Sequence, residues 1–113
     1  MDAYVEPTFR ALADPSRRTI FELLGSGPRS VVDLADELPI SRPAVSQHLK
    51  VLKDCGLVSV RPAGTRRIYA IDPDGVRAAR DYFDRFWTTS LAAYADAVNQ
   101  TVKTEPAAIK EQH

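Results

Sequence analysis

Ser41-Arg42-Pro43-Ala44-Val45-Ser46-Gln47-His48 is the stretch on which the reading of this chain turns. Ser41 is a residue type that caps a helix, and the helix it would open has Val45, Leu49 and Leu52 as inward positions. The 3.6-residue period then turns Arg42, Pro43, Ser46, Gln47 and Lys50 outward. That outward face is short, polar and basic. Arginine can donate two bonds to guanine, glutamine can pair bidentately with adenine, and serine can serve base or phosphate. Early positions of a recognition helix reach base edges, so Arg42, Ser46 and Gln47 are expected to face bases, with Ser41 and Lys50 on phosphate. The alternative for such a face is an ordinary solvated helix surface.

The flanking segments decide between the two. Ser30 followed three residues later by Asp33 resembles a capping box, and Val31, Leu34, Ala35 and Leu38 follow at helical spacing. Pro39-Ile40-Ser41 then makes a tight connection, which is helix-turn-helix spacing. Further upstream, Asp14-Pro15 reads as a helix start, Ile20, Leu23 and Leu24 as its apolar stripe, and Gly25-Ser26-Gly27-Pro28 as its end. Phe9 and Leu12 suggest a leading helix from about Glu6. Downstream, Gly56 can take the left-handed conformation that follows a helix end.

Residues 57–61 and 66–71 are short β-branched or aromatic runs around Pro62-Ala63-Gly64-Thr65, a predicted hairpin with glycine in its loop. This hairpin is the candidate wing. Arg66 and Arg67 sit where a wing would meet DNA, with Arg61 on the other strand. Strand alternation points Arg66 and Arg67 to opposite faces, so the sequence is compatible with one of them making the contact or with both being edge-strand charges. Asp72-Pro73 repeats the cap-and-proline start. The helix after it carries Val76, Ala79, Phe83, Phe86, Leu91, Tyr94 and Val98 near one face, with Trp87 beside it. That is more apolar surface than one small domain covers. Periodicity fades after Asn99. The predicted fold is therefore mainly α, a winged helix-turn-helix of order α-α-α-α-β-β-α with a long C-terminal dimerisation helix. Residues 1–98 form the domain, and residues 99–113 are expected to be a mobile tail.

The chain has 113 residues, 44% hydrophobic and 27% charged, as expected for one globular domain rather than a disordered segment. No apolar run reaches the roughly 18 residues of a membrane helix, and Met1-Asp2-Ala3-Tyr4 lacks a signal's order, so no membrane partner and a cytoplasmic location are expected. One cysteine, Cys55, cannot form an internal disulfide. A formal net charge of zero hides an uneven distribution. Residues 41–67 hold Arg42, Lys50, Lys53, Arg61, Arg66 and Arg67 against Asp54 alone. Residues 72–96 hold Asp72, Asp74, Asp81, Asp84 and Asp96 against Arg77, Arg80 and Arg85. A basic module is thus joined to a mildly acidic one.

The run from Ala11 to Ile20 (Ala-Leu-Ala-Asp-Pro-Ser-Arg-Arg-Thr-Ile), the run from Ile40 to Leu52, and Gly56-Leu57-Val58 together resemble the arsenic-repressor (ArsR/SmtB) family of bacterial transcription regulators. The resemblance covers roughly residues 8–98. It implies a homodimer whose terminal helices pair, whose fourth helix enters the major groove of double-stranded DNA, and whose wing touches flanking DNA. On that basis Phe83, Phe86, Trp87, Leu91, Tyr94 and Val98, with Phe9 and Leu12, become the expected dimer seam, while Val76 is read as internal core. Aromatic packing and a small-molecule pocket both remain open for Phe83, Phe86, Trp87 and Tyr94.

Many such proteins sense metals through a cysteine pair at the start of the third helix. Ser30 and Val32 stand in those positions here, and neither can replace a thiolate. Residues 73–98 contain no histidine, and Asp81 and Asp84 alone read as a solvated face. His48 and Cys55 would lie about 10 Å apart along one helix, too far to share a metal. His48 is expected either to pack beside Leu49 and Leu52 or to touch DNA. Cys55 is either a small half-buried residue or a redox switch, and only exposure and a lowered pKa would make it the latter. The sequence thus predicts a metal-independent repressor without cofactor that binds an inverted repeat, its effector unidentified. The alternatives are a winged-helix protein-interaction module that no longer binds DNA, or a redox-responsive repressor using Cys55. An enzyme is not expected, since no phosphate loop, nucleophile–base pair or carboxylate cluster is present.

Overall fold

The Asp14 carboxylate accepts from the Arg17 N–H at 3.0 Å and Pro15 opens the helix behind it, so the chain turns sharply between α1 (Val5–Ala13) and α2 (Pro15–Gly25). The computed structural model describes residues 5–104, and their side chains from 6 to 101. Two arginines of α2 hold the corner. Arg17 Nε donates to the Ala11 carbonyl at 2.9 Å and Arg18 Nη1 to that of Leu12 at 3.2 Å, satisfying carbonyls that the end of α1 leaves open. At the far end of α2, Arg29 Nη1 donates to the carbonyls of Leu23 and Gly27 while its Nε pairs with Glu37 at 2.7 Å.

Ser30 and Asp33 form the capping box that opens α3 (Val31–Glu37), each side chain accepting from the other's backbone N–H at 3.2 Å. The predicted stripe included Leu38, but the helix stops one residue earlier. Leu38 precedes Pro39 and is extended, at φ −124° and ψ 148°, because the proline ring disfavours helical backbone in the residue before it. Ser41 then caps α4 (Arg42–Asp54), its Oγ accepting from the Ala44 N–H at 3.3 Å. The end of α4 is a Schellman motif: the Gly56 N–H donates to Lys53 and the Leu57 N–H to Leu52, both at 3.0 Å. Gly56 has φ +85°, which a Cβ would strain.

The hairpin consists of β2 (Val58–Ala63) and β3 (Arg66–Ile71), in register Val58↔Ile71 through Ala63↔Arg66. Its loop is shorter than the predicted Pro62–Thr65. Only Gly64 and Thr65 lie outside the strands, and the φ of +66° at Gly64, with no positive φ at Thr65, is the pattern of a type II′ turn. Pro62 can belong to β2 because β2 is an edge strand. The second departure is a third strand. β1 (Arg29–Ser30) pairs antiparallel with β3 through Arg29↔Tyr69 and Ser30↔Ile68, giving a three-stranded sheet of order β1-β3-β2 rather than a lone hairpin. A two-residue strand has too little length to show alternation, so only its pairing reveals it.

α5 (Pro73–Thr104) completes the order. Asp72 starts it, its carboxylate accepting from the Asp74 N–H at 3.0 Å. The chain divides between residues 80 and 81 into two units. In the first, Ala11, Ile20, Leu24, Leu34, Val45, Leu49, Leu52, Leu57 and Val58 are buried as one core, contributed by α1 to α4, β2 and, through Leu57, the link between α4 and β2. Val76, read from sequence as internal, packs against it. The second unit, as described, is the remainder of α5. There Phe83, Phe86, Trp87, Leu91, Tyr94 and Val98 are between 37% and 69% exposed, although Trp87 makes edge-to-face contacts with Phe83 and Phe86 at 5.8 and 6.4 Å. The helix continues past Asn99 to Thr104. The remainder of the expected tail, residues 105–113, lies outside the described residues. No helix among the described residues is long and apolar enough to cross a membrane.

Candidate nucleic-acid interface

Val45, Leu49 and Leu52 are completely buried, and this fixes the rotation of α4 about its axis. With those three turned inward, Ser41, Arg42, Pro43, Ser46, Gln47 and Lys50 are all exposed along one side. Arg42 and Pro43 occupy the first turn, and Ser46 and Gln47 follow one turn later. Ser41 has a double aspect. Its oxygen serves as the helix cap, while the hydroxyl proton remains available to donate.

His48 is half-buried and turned away from this face. Its Nδ1 is buried without a hydrogen-bond partner, and its ring lies close enough to Asp14, the N-cap of α2, to act on that carboxylate. The Asp14 carboxyl is held below the usual carboxylate range, first by the Arg17 backbone N–H and then by the nearby charges of Arg17 and His48. His48 thus lies toward Asp14 and away from the exposed Arg42, Ser46 and Gln47.

The register of the hairpin separates the two wing arginines as alternation requires. Arg66 shares a face with Arg61 and Ile68 and lies 3.9 Å from Asp33, an exposed and weak pair. Arg67 shares the other face with Val60 and Tyr69. On that side Arg67 and Tyr69 join Val31, Ser46, Lys50, Lys53 and Asp54 around an open depression of about 480 Å³ between α4 and the wing. Five of these, Ser46, Lys50, Lys53, Arg67 and Tyr69, can donate to an anion. Lys53 was counted in the basic module but not assigned to the site, and Tyr69 was not singled out from sequence. Lys53 could have been assigned, since it lies three residues beyond Lys50 on the same helical face. Tyr69 could not, because its place depends on how β3 crosses α4.

Other titratable groups are arranged for structure. Ser30, at one of the two expected cysteine positions, is buried and spends its hydroxyl on the capping box. Its N–H and hydroxyl hold the Asp33 carboxyl below the usual range. Burial raises the pKa of the Cys55 thiol above its ordinary value, and Cys55 Sγ donates to the Leu52 carbonyl at 3.3 Å. A raised pKa leaves less thiolate, the opposite of what a reactive cysteine needs. Among the described residues no three histidine, cysteine or carboxylate side chains come together as a metal site.

A buried-core helix-turn-helix, a wing beside it and a basic cleft between them define a winged helix-turn-helix transcription regulator of the DNA-binding class. The comparisons place it further. The family model of bacterial regulatory proteins of the arsR family matches residues 14–60. Over 101 residues the chain is 54% identical to the HTH-type transcriptional regulator Rv2034 of Mycobacterium tuberculosis, covering 88% of this chain and 94% of that protein. It also resembles the solved structure of an ArsR-like transcriptional regulator from Rhodococcus sp. RHA1, with TM-score 0.73 and 32% identity over 84% of this chain and 92% of that one. A homodimeric winged helix-turn-helix DNA-binding domain from Mycobacterium bovis superposes with TM-score 0.62 and 31% identity, over 82% of this chain and 79% of that one. The chain belongs to the arsR family of bacterial regulatory proteins.

Proposed function

We propose that this protein is a metal-independent, cytoplasmic repressor that binds an inverted-repeat operator as a homodimer, with no catalytic activity and no cofactor. The observation that carries the reading is the exposed Arg42-Ser46-Gln47 face held rigidly over the buried Val45, Leu49 and Leu52. In this reading Arg42, Ser46 and Gln47 contact base edges in the major groove, and Pro43 packs against the groove wall beside them. Ser41 and Lys50 contact phosphate, joined from the wing by Arg67, while Arg66 reaches the backbone on the outer side. Two copies of α4 would engage half-sites about one DNA turn apart.

The exposed stripe of Phe83, Phe86, Trp87, Leu91, Tyr94 and Val98 supports a seam between two protomers, because this much contiguous apolar surface is rarely left in water. Phe9 is exposed and would join it. Leu12 is half-buried against the protomer's own core and can contribute only its outer edge. The stripe also favours a second reading, a protein-interaction module without DNA binding. The basic cleft supports the first reading over the second.

The test is capture and sequencing of genomic fragments on the purified protein, followed by titration of the recovered duplex as salt rises. A repressor of this kind shows sequence preference and an affinity that falls steeply with salt. Binding that ignored sequence, or no binding at all, would overturn the proposal and leave the interaction-module reading in its place.

A further inference from the structure

Asp54 stands where neither helix physics nor DNA binding favours a carboxylate. It is the last residue of α4, the end at which the helix dipole presents partial negative charge and repels an acid. Its partner is Lys50, with Nζ 2.8 Å from Oδ2. A lysine followed four residues later by an acid is the weaker orientation of a helical ion pair, and the two side chains are 69% and 61% exposed. Local stability therefore gives no reason for an aspartate here. Its place in the fold supplies one. Asp54 is the single carboxylate among the residues lining the cleft between α4 and the wing, where it faces Lys50, Lys53 and Arg67.

We propose that Asp54 competes with DNA phosphate for Lys50 and so lowers the sequence-independent part of the protein's affinity. The inference rests on the DNA-binding reading above. A phosphate entering the cleft must draw Lys50 Nζ away from the Asp54 carboxylate and then sit in that carboxylate's field. Backbone contact alone recovers little from such an exchange. At a correct sequence, bonds from Arg42, Ser46 and Gln47 to base edges offset it. Asp54 thus sharpens discrimination without touching a base, as a positioning residue that acts through Lys50.

The test is a double-mutant cycle of Asp54→Asn and Lys50→Ala, with binding to a random-sequence duplex of about 30 base pairs followed by anisotropy between roughly 50 and 200 mM salt. Asparagine keeps the shape of the side chain but cannot form the ion pair. The expected result is that Asp54→Asn tightens binding about two- to fivefold and steepens the salt slope by about one ion per protomer. In the Lys50→Ala background most of that gain disappears. A gain that persists undiminished in that background makes Asp54 a plain surface charge and overturns the inference, as does an Asp54→Asn variant that binds no tighter while the wild type binds. A wild-type protein with no affinity for any duplex removes the DNA-binding reading itself. Thermal melting checks that each variant is folded, and Asp54→Asn should not melt earlier, since it relieves the helix end.

Discussion

Arg42 and Gln47 leave α4 on the same side as Ser46, and each has the donor geometry to choose a base. Replacing either with alanine should relax base preference at one operator position at a cost of about 1–3 kcal/mol, measured by competition between operator and single-substituted duplexes. Lys50→Ala should instead weaken all sequences alike. Unchanged specificity in Arg42→Ala would show that the reading face had been placed wrongly. Cys55 gives a second prediction at this scale. Its raised pKa and partial burial should make it slow to alkylate near neutral pH, and mild peroxide should leave DNA binding unchanged. Two of the capping carboxylates, Asp14 and Asp33, have pKa values depressed in the folded state. Their contribution is therefore present above the unfolded aspartate pKa, roughly 4, and is lost as pH falls through the lower folded values. Asp33→Asn should flatten the acid limb of a stability–pH profile recorded by thermal melting. An unchanged limb would mean that the capping box does not bias the fold.

Four of the five described helix starts are written in a few adjacent residues, which is why the boundaries at Asp14-Pro15, Ser30 to Asp33, Ser41 and Asp72-Pro73 could be read before any tertiary contact was known. The end of α4 is equally local, since glycine alone takes φ +85° at position 56 without strain. What surrounds that glycine is not local. A Cβ built on Gly75, near the start of α5, would come within 1.8 Å of the Gly56 carbonyl oxygen. Backbone meets backbone there, and neither side can move as a flexible side chain would. Gly75→Ala should therefore cost at least about 1–3 kcal/mol and lower the melting temperature by several degrees. A melting temperature unchanged from wild type would show that this approach is looser than it looks. The wing shows the same division. The short β-branched and aromatic run in residues 66–71 revealed β3, but the two-residue β1 beside it emerged only from pairing.

At the level of the whole molecule, zero net charge and a basic cleft coexist because Asp54 is the one acidic residue in residues 41–67, while seven of the others lie in residues 1–40 and seven after residue 71. Net charge was thus a poor guide to partners, and its distribution a good one. The exposed apolar face of α5 leads to the last prediction. Sedimentation should find a dimer at micromolar concentration, and the double substitution Phe86→Glu with Leu91→Glu should yield monomers. The same variant should bind operator roughly tenfold more weakly or worse, because joining two half-site contacts in one molecule is what gives the dimer its avidity. A variant that remained dimeric would place the seam elsewhere, and one that became monomeric with full affinity would separate dimerisation from DNA binding.

The helix-turn-helix and its outward face were legible in the chain itself. Caps, proline positions and 3.6-residue periodicity act between near neighbours, so Ser41 through Lys50 determined both the helix and which side of it faces out. Tertiary structure alone decided that His48 turns toward α2, that β1 joins the sheet, and that Asp54, Lys53 and Arg67 meet in one cleft. Those outcomes depend on how separate elements cross, and no local spacing encodes a crossing.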